Sequence, residues 1–217
     1  MKYFPINNSL FIKNRKHFIE NMLDNSIAFF NSNDCYPVSA DTTLPFEQHR
    51  DLFYLSGINQ EETILLIYKN NNSNYQEVLF LTKPNDLLTH WEGERLNEEK
   101  AYSISGIKTV YWLDQLDDVV KKIMKNVQIL YLNKNEHYTA KVETDTREKR
   151  FNNWIKKEYP SKNLKGSNSI LQKLRSVKSS IEIELIQKAC DITEKGFRRI
   201  LNFVKPGVWE YEIEAEF

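Results

Sequence analysis

The chain has 217 residues, 41% of them hydrophobic, enough to bury a full core in one or two domains. Lys plus Arg and Asp plus Glu each number 30, so no net field draws it to nucleic acid or to an anionic membrane. The start, "MKYFPINNSLFIKNRKHF", has no apolar stretch of signal-peptide length, and later runs such as "TILLIY" are strand-sized, which predicts a cytoplasmic protein without a membrane segment.

From about Ser9 to Asp24, Leu10, Phe11, Phe18, Met22 and Leu23 recur near helical spacing among Lys and Arg, as in a surface helix. Five short aliphatic or aromatic runs follow, each bounded by Asn, Gly, Asp or Pro: "SIAFF" (26 to 30), "TILLIY" (63 to 68), "EVLFLT" (77 to 82), "KTVYW" (108 to 112) and "VQILYL" (127 to 132). They predict five strands. The polar, Asn-rich "YKNNNSNYQEV" makes residues 63 to 82 a hairpin, so the sheet is mixed rather than wholly parallel. Between the last two strands "LDQLDDVVKKIMKN" carries a helical period, and "ETDTREKRFNNWIKKEYP" reads as another helix closed by Pro160. The fold class is therefore α/β, a mixed β-sheet flanked by helices.

"PSKNLKGSNS" (160 to 169) is polar and short, and reads as a linker. Beyond it "SSIEIELIQKACDITEKGFRRILNFVKPG" predicts one long amphipathic helix. Ser180 is its N-cap, Glu182 and Glu184 favour its dipole, and "KPG" stops it. Ile183, Ile186, Ala189, Cys190, Phe197, Ile200, Leu201 and Val204 form its apolar face. "VWEYEIEAEF" starts a further helix. The expected organisation is a first domain over 1–170 and, over 171–217, the opening of a second domain that is incomplete at this length.

Chemistry is sparse on residue pattern alone. No GxGxxG, Walker loop, HExxH, GxSxG or CxxC pair occurs. His17, His49, His90 and His137 are dispersed without metal-ligand spacing and read as solvated or hydrogen-bonded structural histidines. Cys35 and Cys190 read as reduced, packed thiols.

Several stretches nevertheless resemble one family in order along the chain: "SADTTLPFEQHRDLFYLSGINQEETILLI" (39 to 67), "HWEGERL" (90 to 96), "LRSVKSSIEIELIQKACDITEKGF" (174 to 197) and "KPGVWEYEIEAEF" (205 to 217). They are similar to the N-terminal half of Xaa-Pro aminopeptidase, or aminopeptidase P, in the creatinase and prolidase superfamily. The resemblance implies a ribonuclease H-like N-terminal domain followed by the helical start of a "pita-bread" metallopeptidase domain. It implies a parent enzyme that removes an N-terminal residue when proline comes second, using two divalent metal ions, usually manganese. Their five ligands, two aspartates, a histidine and two glutamates, lie beyond the matching region. The chain alone is thus expected to be inactive, with no catalytic residue and no metal ligand of its own.

The resemblance also gives two residues a role at the substrate pocket. Trp91, in the W-x-G-x-R pattern, matches an indole that reaches toward the active site of a neighbouring subunit, which implies a homodimer or homotetramer. The alternative is a tryptophan half buried on its own sheet and steadied by Glu and Arg ion pairs. Asp41 matches an aspartate near the metals that can pair with a basic group or with the ammonium of a peptide substrate. Its alternative is an Asx cap on the "DTTLP" turn. Tyr54 and Gly57 read as structural. Glu47 departs from the basic residue common in relatives, which puts in doubt any contact with an acidic partner there, and Ser180 replaces a common proline without harm. A non-catalytic assembly or binding module, or creatinase or prolidase specificity, are the other functions the pattern admits.

Overall fold

The computed structural model describes residues 5–72, 74–85, 89, 93–134 and 143–217. They fall into two compact units, Met1–Leu174 and Arg175–Phe217.

In the first unit a six-stranded sheet forms around β1 (Ser26–Asn31), all six of whose residues are buried. On one side β1 pairs antiparallel with β4 (Ile64–Lys69), then come β5 (Tyr75–Leu81), antiparallel to β4, and β6 (Thr109–Trp112), parallel to β5. On the other side β1 is parallel to β7 (Ile129–Leu132), which is parallel to β8 (Asn163–Gly166). These pairings make β4 the one strand that runs against the rest. A two-stranded hairpin, β2 (Pro37–Ser39) and β3 (Thr42–Thr43), follows β1 and stands apart from this sheet.

Because side chains alternate along a strand, β1 feeds two cores. Ala28 and Phe30 join Leu65, Ile67, Leu79, Leu81 and Tyr131 on one face, closed by Phe18 and Met22 of the N-terminal segment, Leu52 and Leu55, Ala101 and Leu171. Those come from α1 (Ser9–Glu20) and the turn after it, α2 (Arg50–Ser56), α3 (Glu98–Ser105) and α6 (Asn168–Ser176). Ile27 and Phe29 join Leu66, Phe80, Leu130 and Leu132 on the other face, covered by Val120 and Met124 of α4 (Leu116–Met124) and Phe151 and Ile155 of α5 (Arg147–Glu158). Edge-to-face contact of Phe18 with Phe30, centroids 5.3 Å apart, ties α1 to the sheet, and Phe29 meets Phe151 at 5.1 Å opposite.

All five predicted strands are present, and the Asn-rich turn closes β4 to β5: the Asn70 side-chain oxygen accepts from the amides of Asn72 and Asn74 at 2.9 and 3.0 Å. The predicted linker is corrected, because its "NLKG" pairs in register with β7 as β8. All four of its residues are exposed, so no apolar alternation marks it as an edge strand. The surface reading of α1 also needs correction at Arg15. Its side chain is fully buried, with Nε 3.0 Å from Glu77 Oε1 on β5 and Nη1 donating to the Leu55 carbonyl at 2.8 Å. Gly57 ends α2 in the left-handed conformation at φ 70°, its amide donating to the Phe53 carbonyl, and its Cα faces the Phe11 ring. Both cysteines are free, as expected, but exposed rather than packed.

In the second unit α7 (Ser180–Phe203) is capped by Ser179 rather than Ser180. The Ser179 amide donates to Glu182 Oε2 at 2.7 Å and its hydroxyl accepts from the Glu182 amide, a reciprocal capping box. The helix stops before Pro206 and Gly207, as the "KPG" signal predicts, and α8 (Glu210–Glu216) turns back so that Phe217 meets Phe197 edge to face at 5.5 Å beside Gly196. The predicted apolar face exists but stays open: Ile183, Phe197 and Leu201 are all more than half exposed.

Candidate functional site

Five strands deliver their carboxyl ends to one end of the first sheet, the place where open α/β sheets bind ligands. Polar side chains gather there from several strands and two helices. After β1 comes Asp34; before β4 the turn Gln60–Glu62; after β7, Asn133; after β8, Ser167; and the first turns of α2 and α5 bring His49, Asp51, Arg147 and Glu148.

His49 caps α2: its Nδ1 accepts from the Asp51 amide at 3.3 Å. That bond requires the neutral tautomer with its proton on Nε2, and Nε2 lies 3.7 Å from Glu148 Oε2. Asn133 Nδ2 donates to Asp51 Oδ2 at 2.9 Å; its own Oδ1 accepts from the Ser167 hydroxyl at 2.7 Å, and its backbone carbonyl from Asn152 at 2.7 Å. Glu148 sits largely buried, with Oε1 lacking a hydrogen-bond partner among the described residues. Burial and then the Asp51 charge push its carboxyl up to about 7, against the pull of the Asn133 amide. Glu148 is thus brought to His49 and Asp51, although it lies roughly a hundred residues further along the sequence. Only a fold that sets the starts of α2 and α5 side by side reveals them.

Asp34 works on the same helix start. Its Oδ2 accepts from the Arg147 amide at 2.6 Å and its Oδ1 pairs with the Arg150 guanidinium, placing a carboxylate on the positive end of α5. Nearby, Arg95 is held by Glu61 at 3.2 Å and Glu62 at 3.6 Å, while Thr82 donates to Glu62 and the Leu96 amide to Gln60 Oε1. Cys35 next to Asp34 is pushed up by burial and by Glu61, Glu62 and Asp34, which keeps it a thiol.

Asp41 lies in the exposed turn of the β2–β3 hairpin, following Ala40 at φ 49°. Its carboxylate makes no hydrogen bond or ion pair among the described residues, so the Asx-cap arrangement is not adopted. Tyr36, Val38 and Leu44 expose apolar surface on the same hairpin. Trp91, His90 and His137 lie outside the described residues. Tyr54 is partly buried against the core, and Glu47 is exposed and 3.6 Å from Arg50. Among the described residues no group of three or more His, Cys, Asp or Glu is arranged to hold a metal ion, so no metal-dependent step is assigned to them. Nor, among them, is any helix long and apolar enough to cross a membrane.

The family model for the aminopeptidase P N-terminal domain matches residues 11–131, more than half of the chain. The chain belongs to this family. Among curated relatives, the Xaa-Pro aminopeptidase of Haemophilus influenzae is 29% identical over 179 residues, 81% of this chain and 38% of that protein. A solved structure from Bacillus anthracis described as an aminopeptidase P superposes with a TM-score of 0.89 at 29% identity, covering 97% of this chain and 50% of the other. A zinc-substituted Escherichia coli aminopeptidase P in complex with product shares the fold, with a TM-score of 0.80 at 22% identity over 98% of this chain and 49% of that one. The chain therefore spans half or less of the length of these relatives.

Proposed function

We propose that this chain is the N-terminal portion of a cytoplasmic, metal-dependent Xaa-Pro aminopeptidase that releases the first residue of peptides with proline second. Residues 1–170 form its N-terminal domain and 171–217 open its catalytic domain. The family match over residues 11–131 carries this reading. In this reading Asp41, whose carboxylate is exposed in the turn of the β2–β3 hairpin, pairs with the substrate ammonium. Trp91 supplies a wall of the pocket across a subunit contact in a homodimer or homotetramer. A manganese pair would be held by residues of the catalytic domain and would supply Lewis-acid chemistry there. Alone, the 217 residues have no peptidase activity.

The test is an assay of the longer protein, with manganese, on Ala-Pro and Arg-Pro-Pro peptides and on creatine. Release of the first residue only from the proline peptides, with kcat/KM reduced by Asp41→Asn and by Trp91→Ala, supports the reading. Turnover of creatine, or of neither class, overturns it, the latter in favour of a non-catalytic assembly module.

A further inference from the structure

The turn Gln60–Glu62, which leads into β4, has its own fastenings. Gln48 Nε2 donates to the carbonyls of Ile58 at 3.2 Å and Gln60 at 2.9 Å, the Thr63 amide donates to Ser32 Oγ at 3.1 Å, and the Thr63 hydroxyl to the Gln60 carbonyl at 2.9 Å. All three residues of the turn direct their side chains to residues 95 and 96. Gln60 Oε1 accepts the Leu96 amide at 2.8 Å, Glu61 Oε1 lies 3.2 Å from Arg95 Nη2, and Glu62 Oε2 lies 3.6 Å from Arg95 Nη1. Successive side chains of an extended chain point to opposite faces. Here Glu62 is left-handed, at φ 53°, and both carboxylates reach one guanidinium. Thr82, just past β5, steadies the second of them by donating to Glu62 Oε2 at 2.8 Å.

An arginine suits this place where a lysine would not: each arm of its fork takes one carboxylate, whereas a single ammonium could face only one. Glu61 and Glu62 are partly exposed, and ion pairs of that kind contribute little to stability. What this clamp supplies is a fixed path for the chain. On its far side Leu96 packs on the core and α3 starts at Glu98 under its own Asn97 cap. On its near side stands Gly93, left-handed at φ 84°, with no atom within 4 Å of where a Cβ would lie.

We propose that Arg95, the arginine of the W-x-G-x-R pattern, is a positioning residue for the substrate pocket. Held by the Gln60–Glu62 turn, it sets the course of the segment that carries Trp91, four positions earlier in the sequence. Glu61 and Glu62 act with it from the start of β4, some thirty residues away in the chain. The inference rests on the reading that Trp91 lines the pocket, and goes beyond it by naming what places the indole.

Fluorine NMR of the 217-residue chain labelled with fluorotryptophan reads the placement, the Trp91 line being assigned by its loss in Trp91→Phe. Arg95→Met, and the variant Glu61→Ala/Glu62→Ala that releases the arginine from the other side, should each shift that line in the same direction. Combining them should shift it no further, and the Trp154 and Trp209 lines should stay in place. Kinetics of the longer protein on Arg-Pro-Pro reads the consequence: each variant should lower kcat/KM about tenfold, and neither should lower it further in a Trp91→Ala background. The inference is overturned if the Trp91 line stays put in either variant, if the Trp154 and Trp209 lines move with it, or if the losses multiply with that of Trp91→Ala. A Trp91→Ala that lowers kcat/KM beside an Arg95→Met that does not overturns this inference alone. A Trp91→Ala without effect, or a longer protein without activity, overturns the pocket reading and the inference with it.

Discussion

Arg15 on α1 and Glu77 on β5 meet at 3.0 Å with the arginine wholly enclosed, an ion pair that pins the N-terminal helix to the fourth-from-last strand of the main sheet. The arginine was taken out of water to reach it, and its remaining reach goes to the Leu55 carbonyl at the end of α2. One side chain thereby registers two helices and a strand. Removing a single partner of such a pair leaves an uncompensated buried charge.

Glu77→Ala should accordingly destabilise the first unit by about 3–5 kcal/mol, whereas replacing both partners by leucine should cost much less. Urea unfolding of the two single variants and the double variant gives the comparison. A double variant no more stable than Glu77→Ala would mean that packing of the arginine stem, rather than its charge, dominates.

Gly57→Ala should cost about 2–4 kcal/mol, because the new methyl combines left-handed strain with overpacking. An added Cβ would come within 2.3 Å of the Phe11 ring at φ 70°. Pairing it with Phe11→Leu should recover part of the loss, measurable as a shift of the thermal midpoint.

The Glu148 carboxyl binds its proton more tightly folded than unfolded, since its pKa rises from 4.5 to about 7. The native state therefore holds more protons across that window, and its stability falls as pH rises from about 4.5 to about 7. Glu148→Gln, which carries no charge to bury, should be more stable than the parent by on the order of 2–3 kcal/mol at pH 8.5 and nearly equal to it at pH 4.5. Urea midpoints at the two pH values read the difference.

Ser179→Ala removes the hydroxyl half of the α7 capping box and should cost that helix about 1 kcal/mol. The loss should appear as reduced protection of the first-turn amides, Glu182 first, with no change in the first unit.

Sequence periodicity revealed the strands that bury both faces, because Ile27 to Phe30 and Ile64 to Ile67 are apolar throughout and sit between turn formers. It could not reveal β8, whose four residues face solvent, nor the hairpin at 37–43, which is too short to carry a pattern. Asp41 was found through motif resemblance, since nothing about an isolated aspartate distinguishes it. His49, Asp51 and Glu148 had no local signature either. Their proximity depends on helix starts about a hundred residues apart, and charged residues are too numerous for any such trio to stand out beforehand. Arg15 is hidden for the converse reason: flanked by Lys13, Asn14 and Lys16, it looks solvated until Glu77 is seen opposite.

The parallel pairing of β1 with β7 bears on how the first unit is made. Ser26 must wait for Ile129, roughly a hundred residues later, before its second neighbour exists. The hairpin of β4 and β5 can close early and offer β1 one antiparallel edge, but the other edge of that largely apolar strand stays bare until β7 leaves the ribosome. Assembly thus runs from the middle of the sheet outward, and the interval before β7 arrives is when the nascent protein is most exposed to aggregation.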